Sequence, residues 1–277
     1  MGTVVYPNAK INLGLYITEK RADGFHNLET VFLPIPWCDI LEITPQKNTQ
    51  EPTTCTITGL TVQGNVDDNL CLKAYRLLKQ YHPQIPSFEF HLHKQIPSGA
   101  GLGGGSADAS FVLTTLNKIL QLNIPTTILK EYALTLGSDC PFFIENQPSL
   151  AFSRGEDLTP ISLALHQYQL LIINPRIHVN TGWAFQQITP KPAPHQWWQV
   201  LQQHPSTWTS NIHNQFEPAV AATHPPIAAL IEQLYHAGAL YASMSGSGST
   251  VYGLFAPSAK VATHFAEGFV HKLITLP

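Results

Sequence analysis

A glycine-rich segment, residues 97–108, most constrains how this chain can fold, because it separates two clearly patterned stretches. Before it, the apolar residues Phe88, Phe90 and Leu92 alternate with polar ones, which predicts a strand with one apolar face. After it, apolar residues recur at helical spacing from Ala109 to Leu120. The segment therefore connects a strand to a helix, and its residues are Pro97, Ser98, Gly99, Ala100, Gly101, Leu102, Gly103, Gly104, Gly105, Ser106, Ala107 and Asp108.

Glycines directly before a helix let the backbone adopt positive φ and leave room for a large anion to approach the amides. Those amides and the first unpaired N–H groups of the helix favour negative charge, so we infer a phosphate-binding loop. It is not a P-loop, because no lysine follows the glycines, and a Rossmann βαβ unit is not evident. Taken alone, the segment is also compatible with a plain turn or a flexible linker.

The length and charge of the chain limit its organisation and its partners. With 277 residues, 44% of them hydrophobic, it is long enough for two domains, and we place the boundary near residue 158, giving domains 1–158 and 159–277. The formal net charge is −3, without a basic excess. Nucleic acid and membrane surfaces are therefore not expected as partners, and a phosphate must be held by local groups.

The cysteines and the N-terminus predict a cytoplasmic protein. The four cysteines are scattered without a C-x-x-C pair, which indicates reduced thiols and argues against a zinc site. His91 and His93 share a strand face, but no third ligand is in register, so no metal site is predicted. No apolar run approaches the ~20 residues needed to span a bilayer, and no targeting peptide is visible.

Lys10 and Asn12 form the second candidate for chemistry. Ile11, Leu13 and Leu15 take one face of a predicted strand, so Lys10 and Asn12 lie on the other face, about 7 Å apart. A solvated face on an edge strand explains this pattern without a function. Alternatively, the lysine points at a phosphate.

Asp139 is the third candidate. A helix is predicted from Thr126 to Leu136, and Gly137 ends it. Asp139 precedes Pro141, so it is either a helix N-cap or a carboxylate in an apolar pocket that can act as a base. Its neighbour Cys140 is a weaker candidate as a nucleophile, since no histidine stands at a recognisable spacing.

Four further stretches have local interpretations. One residue of Asp67-Asp68-Asn69 is expected to cap a helix that starts at Leu70. The small-residue run 243–250 is either a linker or the other side of the phosphate site. Residues 189–208 carry three tryptophans and form either a packed insertion or a partner contact. A last helix is predicted at about residues 259–272.

These motifs together resemble the GHMP kinases. Residues 97–108 resemble the phosphate loop of that family, and Ser245-Gly246-Ser247-Gly248 resembles its C-terminal glycine motif. More narrowly, the motifs at 7–13, 21–26 and 137–143 are similar to the branch that acts on a cytidine diphosphate sugar alcohol in isoprenoid biosynthesis. The resemblance implies an α+β fold with two domains, the first like ribosomal protein S5 and the second ferredoxin-like.

The resemblance also implies an activity and a nucleotide site. The activity is transfer of phosphate from ATP, with Mg²⁺, to a 2-hydroxyl of the small-molecule substrate, by a monomer or weak homodimer. Asp139 would be the base and Lys10 its partner. Residues 97–107 would hold the phosphates, and Asn69, Leu70 and Lys94 would border the adenine.

For the substrate, the resemblance implies that Phe25 and Phe185 sandwich the cytosine while His26 bonds its edge. Asn12 would lie beside the sugar alcohol, and Thr181 would line the same pocket. Two positions depart from the family pattern. Phe25 replaces a tyrosine, and Gln215 replaces an aspartate that is expected in an Asn-Asp-x-Glu motif, which puts any capping by that residue in doubt.

Three alternatives remain open from the sequence. A sister kinase for homoserine, mevalonate or a sugar would keep both glycine runs without Phe25, His26 and Phe185. A nucleotide-binding module without catalysis would not need Lys10 and Asp139. A thiol hydrolase would be built on Cys140.

Overall fold

The computed structural model describes residues 2–46, 51–62, 64–262, 265 and 268–277. Among these residues there are twelve strands: β1 (Thr3–Val5), β2 (Asn8–Lys20), β3 (His26–Cys38), β4 (Ile40–Pro45), β5 (Thr54–Gly59), β6 (Phe88–Lys94), β7 (Ser149–Phe152), β8 (Asp157–Pro160), β9 (Gln169–Asn174), β10 (Tyr241–Met244), β11 (Val251–Phe255) and β12 (Val270–Thr275). The same residues form seven α-helices: α1 (Leu70–Tyr81), α2 (Gly104–Ile119), α3 (Thr126–Leu136), α4 (Cys140–Glu145), α5 (Thr181–Gln186), α6 (Glu217–Thr223) and α7 (Pro225–His236). None of these helices is long and apolar enough to cross a bilayer.

The chain divides into two compact units. Unit 1 contains the N-terminal segment up to Ala9 together with Trp37–Ser98 and Gly103–Gln147, and unit 2 contains Lys10–Pro36, Gly99–Leu102 and Pro148–Pro277. Each unit is therefore assembled from separate stretches of chain. The domain boundary near residue 158 stays a prediction, because the two compact units are not separated at a single position of the chain.

Unit 1 is built on a four-stranded sheet with the order β1-β4-β6-β5, in which only the β5–β6 pair is parallel. Strand β6 alternates buried and exposed residues along its whole length, as its sequence predicts. Its buried residues Phe88, Phe90 and Leu92 pack in one core with apolar residues of α1, α2 and α3. This core holds β6 in place and thereby fixes where the glycine-rich segment begins.

Unit 2 contains a sheet with the order β10-β11-β9-β12, in which neighbouring strands are antiparallel. Along the chain these strands occur as β9, β10, β11 and β12, so the sheet has the strand order of a ferredoxin-like domain. A further sheet has the order β2-β3-β7-β8. The predicted α+β class with a ferredoxin-like second part is confirmed.

The last predicted helix is wrong in its C-terminal part. Residues Val270–Thr275 form strand β12, which pairs with β9 from Val270 opposite Asn174 to Thr275 opposite Gln169. Residues 259–262 are not helical either, and residues 263, 264, 266 and 267 of the prediction lie outside the described residues. Pairing with β9 decides the structure here, because helix propensity is a weak preference that tertiary contacts override.

The tryptophan-rich stretch 189–208 is packed into unit 2. The Trp208 ring is fully buried 5.6 Å from the ring of Tyr241, and its Nε1 donates to the Gln203 carbonyl. Trp197 is also buried, and its Nε1 donates to a Glu29 carboxylate oxygen 3.0 Å away. Two of the three rings therefore belong to the interior, which favours the packed-insertion interpretation.

Replacing Trp208 by alanine is expected to lower the free energy of unfolding by about 3–5 kcal/mol, because the change leaves a large cavity in the interior. Urea denaturation of the purified variant measures this loss. His195→Ala is the control, because this exposed residue of the same stretch should change stability by less than about 0.5 kcal/mol. Equal stability of the two variants would contradict the packing described for Trp208.

Candidate active site

The glycine loop, residues 97–103 between β6 and α2, has a backbone that only glycine adopts easily. Gly99, Gly101 and Gly103 have φ values of +62°, +79° and +70°. A side chain at such positions costs roughly 1–2 kcal/mol. Gly103 is the N-cap residue of α2 and has no side chain with which to cap the helix amides. The predicted strand-to-helix loop with left-handed glycines is present, and the first amides of a helix favour an anion.

Within unit 2, the middle of the glycine loop lies directly on the second small-residue run. The Ser245 hydroxyl donates to the Gly101 carbonyl over 2.8 Å, and the Thr250 amide donates to the Ala100 carbonyl over 3.3 Å. A Cβ on Gly101 would lie 2.0 Å from the Ser245 carbonyl oxygen. The two runs therefore contact each other through backbone atoms, and this contact requires glycine.

Lys10 and Asn12 form a buried polar pair on β2, also in unit 2. The Lys10 ammonium donates to the Asn12 amide oxygen over 2.7 Å and lies 4.7 Å from the centre of the Phe32 ring. The Asn12 amide nitrogen donates to Thr30 Oγ1. Lys10 and Asn12 are each only 3% exposed, so the alternative of a solvated strand face is wrong.

Lys10 is also tied to the glycine loop. Its backbone amide donates to the Leu102 carbonyl over 2.9 Å. The Asn12 amide in turn donates to the Ser245 hydroxyl that holds Gly101. The cation on β2, the glycine loop and the second run thus meet within one unit.

The start of α2 lies in unit 1 with part of the predicted nucleotide site. Asn69 caps α1, since its side chain accepts from the Cys71 amide, and this confirms the predicted cap. A Cβ on Gly105 would lie 3.5 Å from the Leu70 side chain, so Leu70 borders the first turn of α2. Ser106, in that same turn, accepts at its carbonyl from the Ser110 hydroxyl.

Lys94, which the resemblance places at the border of the adenine, has a buried side chain. Its ammonium is 2% exposed and lies between the carboxylates of Asp39 and Asp108, donating to Asp108 Oδ2 over 2.8 Å and to Asp39 Oδ2. The side chain is therefore occupied inside unit 1. The place of Lys94 beside the adenine stays a prediction.

Asp139 stands immediately before α4 and does not cap it, as its side chain makes no capping hydrogen bond. The capping interpretation is therefore wrong. Cys140 is fully buried, and burial raises the pKa of its thiol to about 12. A thiol that stays protonated is a poor nucleophile, so the thiol hydrolase loses its chemical basis.

The substrate residues of unit 2 are only partly arranged as expected. The His26 ring stacks on the Phe185 ring with centroids 4.7 Å apart. Phe25 is half exposed on the turn after Gly24, and its ring lies 4.8 Å from the Arg154 guanidinium. His26 therefore covers one face of Phe185, and the sandwich of cytosine between Phe25 and Phe185 stays a prediction.

Two smaller features complete the substrate region. Burial, followed by the positive charge of Lys20, lowers the pKa of His26, so its imidazole is neutral at pH 7 with one donor and one acceptor. The Thr181 hydroxyl lies 3.1 Å from that of Ser247, in the second small-residue run. Thr181 is thus close to the residues that contact the glycine loop.

The Gln215 departure is accommodated by the structure. Its Oε1 accepts from the Ile17 amide over 2.6 Å, while Asn214 Oδ1 accepts from the Phe216 amide at the start of α6. Glu217 is partly buried and accepts from the Ser243 hydroxyl and the Met244 amide, and burial raises the pKa of its carboxyl. Asn214 therefore bonds the backbone amide at the start of α6, while Gln215 bonds the backbone of β2.

Sequence reasoning missed Asp39, Thr30 and the role of Asp108. Asp39 is 55 residues away from its partner Lys94 along the sequence, and no local sequence pattern predicts a contact between residues so far apart. Asp108 carries a weak signal, because it is an acid on the apolar side of a predicted helix. Over the described ranges, no group of three or more His, Cys, Asp or Glu side chains could hold a metal ion.

Comparison with known proteins agrees with this geometry. The model of the GHMP kinases N terminal domain matches residues 69–147, and the GHMP kinases C terminal model matches residues 200–270. A Bacteroides fragilis protein is 47% identical over 258 residues, covering 93% of this chain and 94% of its own length. A Bacteroides thetaiotaomicron protein is 48% identical over 255 residues, covering 92% of both. The chain belongs to the GHMP kinase family.

Both relatives carry the name 4-diphosphocytidyl-2-C-methyl-D-erythritol kinase. The crystal structure of a 4-(cytidine 5'-diphospho)-2C-methyl-D-erythritol kinase superposes with a TM-score of 0.74 at 28% identity, over 91% of this chain and 90% of that one. The resemblance read from the motifs is therefore confirmed, both for the family and for this branch of it.

Gly101→Ala is expected to lower kcat/KM for ATP at least about tenfold, because both the left-handed backbone and the contact with Ser245 would be strained. Steady-state kinetics with ATP varied measures the change. Gly238→Ala is the matched control, since Gly238 has φ +93° but no described atom lies within 4 Å of its would-be Cβ. If both variants keep full activity, close backbone contact at Gly101 is not needed.

Proposed function

We propose that this chain uses ATP to phosphorylate the 2-hydroxyl of 4-diphosphocytidyl-2-C-methyl-D-erythritol, a step of the non-mevalonate isoprenoid pathway. The observation that carries the proposal is the junction in unit 2. There the Lys10 amide bonds the Leu102 carbonyl, and Ser245 holds Gly101. A buried cation beside a glycine loop is an arrangement suited to binding phosphate and stabilising its negative charge. The named relatives, 47–48% identical over more than nine tenths of the chain, supply the substrate.

The loop and Lys10 provide the electrostatic part of the mechanism. Phosphoryl transfer depends mainly on positioning and charge neutralisation. Loop amides and the N-terminus of α2 bind the nucleotide phosphates, and the Lys10 ammonium stabilises charge on the moving phosphoryl group. Because Lys10 is 3% exposed, water screens this charge little.

Asp139 provides the acid–base part. The 2-hydroxyl oxygen attacks the γ-phosphorus, its proton passes to the Asp139 carboxylate, and the bond from the γ-phosphorus to the bridging oxygen breaks to release ADP. Phe185 and His26 bind the cytosine ring by stacking and by hydrogen bonds to its edge, with Phe25 on the adjacent turn. Asn12 and Thr181 contact the sugar alcohol.

Mg²⁺ is part of this proposal. Mg²⁺ that binds together with ATP needs few protein ligands, so it does not require a dedicated cluster of His, Cys, Asp or Glu side chains, and the described residues contain none. When bound, Mg²⁺ supplies charge neutralisation of the phosphates. We also propose that the protein is a cytoplasmic monomer or weak homodimer. It does not bind nucleic acid in this proposal, because a net charge of −3 gives no attraction to that polyanion.

The assignment is tested by ADP release with four acceptors: the cytidylated methylerythritol, homoserine, mevalonate and galactose. The cytidylated compound is expected to give a kcat/KM at least about 10³-fold above the others, because a site built for a polar ring strongly rejects ligands that lack it. Higher activity on another acceptor would identify a sister kinase. Absence of acceptor-dependent ATP consumption would indicate a binding module without catalysis.

Asp139→Asn is expected to lower kcat by about 10²–10⁴ while ATP affinity stays nearly unchanged, because the amide cannot accept the proton. Single-turnover kinetics and calorimetric titration with an ATP analogue measure the two effects separately. Asp157→Asn, an exposed residue of β8, is the control and should be fully active. Unchanged turnover in Asp139→Asn would remove this residue from the base role.

A further inference from the structure

A buried ion cluster in unit 1 lies at the end of β6 and the start of α2 and is not explained by the reaction. It consists of Asp39, Lys94 and Asp108, whose side chains are 0%, 2% and 4% exposed. The ammonium of Lys94 donates to both carboxylates. Three charged groups therefore lie where apolar residues would normally pack.

The three members attach to the two ends of the glycine loop. Asp39 Oδ1 accepts from the amides of Gln95 and Ile96, over 2.6 and 2.9 Å, where the chain leaves β6 for the loop. Asp108 lies in the second turn of α2, the helix that follows the loop. Lys94 joins the two carboxylates. The cluster thus connects the entry of the loop to its exit.

The two ends are also in close contact. A Cβ on Gly104, the first residue of α2, would lie 2.9 Å from the Ile96 side chain and 3.3 Å from Lys94 Nζ. Glycine is therefore required where the helix begins against the end of the strand. This spacing leaves the cluster little freedom to change without moving the loop ends.

Stability alone does not account for such a cluster. A buried ion pair is often no more stabilising than apolar residues of the same volume, because removing charges from water is costly. Hydrogen bonds between charged groups also restrict geometry, because donor and acceptor must stay aligned. Such a restriction helps to order the glycine loop, because glycines lose more conformational entropy than other residues when they are ordered.

The charges of the cluster suit a neighbouring phosphate site. Asp39 accepts from Lys94 and two amides, whereas Asp108 Oδ1 has no hydrogen-bond partner among the described residues. Burial accordingly raises the pKa of Asp108 to about 7. Burial alone would lower the pKa of Lys94, but the two carboxylates outweigh it and raise that pKa. With Asp108 protonated the cluster is neutral and does not repel phosphates.

We propose that Asp39, Lys94 and Asp108 are positioning residues that hold the glycine loop in its phosphate-binding conformation by joining its two ends. This rests on the proposed function, because the loop must bind nucleotide phosphates for the positioning to matter. Loss of the cluster should lower the affinity for a ligand more, the more phosphate groups the ligand carries. It should leave the binding of the nucleoside part and of the acceptor unaffected.

The test compares Asp108→Ala with the unmodified enzyme. Affinity for a non-hydrolysable ATP analogue is measured by calorimetry and affinity for adenosine by ligand-observed NMR. The analogue is expected to bind about tenfold more weakly to the variant, with adenosine within twofold. Asp108→Asn keeps an oxygen that can accept from Lys94, so it should restore analogue binding to within about threefold at pH 7. Thr115→Ala is the control, because it removes a buried polar group from the same helix without touching the cluster.

Unchanged analogue affinity in Asp108→Ala would overturn the proposal. So would an equal loss for analogue and adenosine, which would show a general effect on the fold. If Asp108→Ala does not fold, Asp39→Asn replaces it. Both Asp39 oxygens accept hydrogen bonds, so when the new amide oxygen accepts from Gln95 and Ile96, the amide NH₂ faces Lys94 and the hydrogen bond from Lys94 is lost. The same selective loss as for Asp108→Ala is expected. Failure of the unmodified enzyme to bind the analogue would instead refute the proposed function.

Discussion

The contact of Gly101 with Ser245 is the constraint on which the rest of unit 2 depends. Backbone atoms meet there at a distance that no Cβ permits. The Ser245 hydroxyl bonds the Gly101 carbonyl and accepts from the Asn12 amide, and Asn12 in turn accepts from Lys10. A change at this contact would therefore be transmitted directly to the buried cation. The close backbone contact, and not a need for flexibility, explains why both runs consist of small residues.

Much of this arrangement could be predicted because it is encoded locally. The alternation in β6, the glycines before α2 and the shared face of Lys10 and Asn12 are patterns within a few residues. What could not be predicted depends on distant partners. Strand β12 forms because β9 lies beside it, and Lys94 is drawn inside by Asp39, which lies between β3 and β4. The position of His26 on Phe185 likewise depends on two segments far apart in the chain.

The contacts of two buried lysines assign them different tasks. The Lys94 ammonium lies between the carboxylates of Asp39 and Asp108, and Asp39 also accepts from the amides of Gln95 and Ile96 at the entry of the glycine loop. Lys10 donates to the Asn12 side chain, and its backbone amide donates to the Leu102 carbonyl within the loop. We therefore assign a positioning task to Lys94, and Lys10 remains the proposed catalytic lysine.

The reliance of the loop on main-chain amides has a consequence for inhibitor design. Every residue except proline carries the same N–H group, so a compound that binds those amides contacts atoms that most point mutations leave in place. Resistance would have to arise by changing the loop glycines, and at Gly101 and Gly104 a larger residue meets neighbouring atoms within 3 Å. Compounds that imitate a polyphosphate should therefore retain their potency longer than compounds that depend on side chains at the rim.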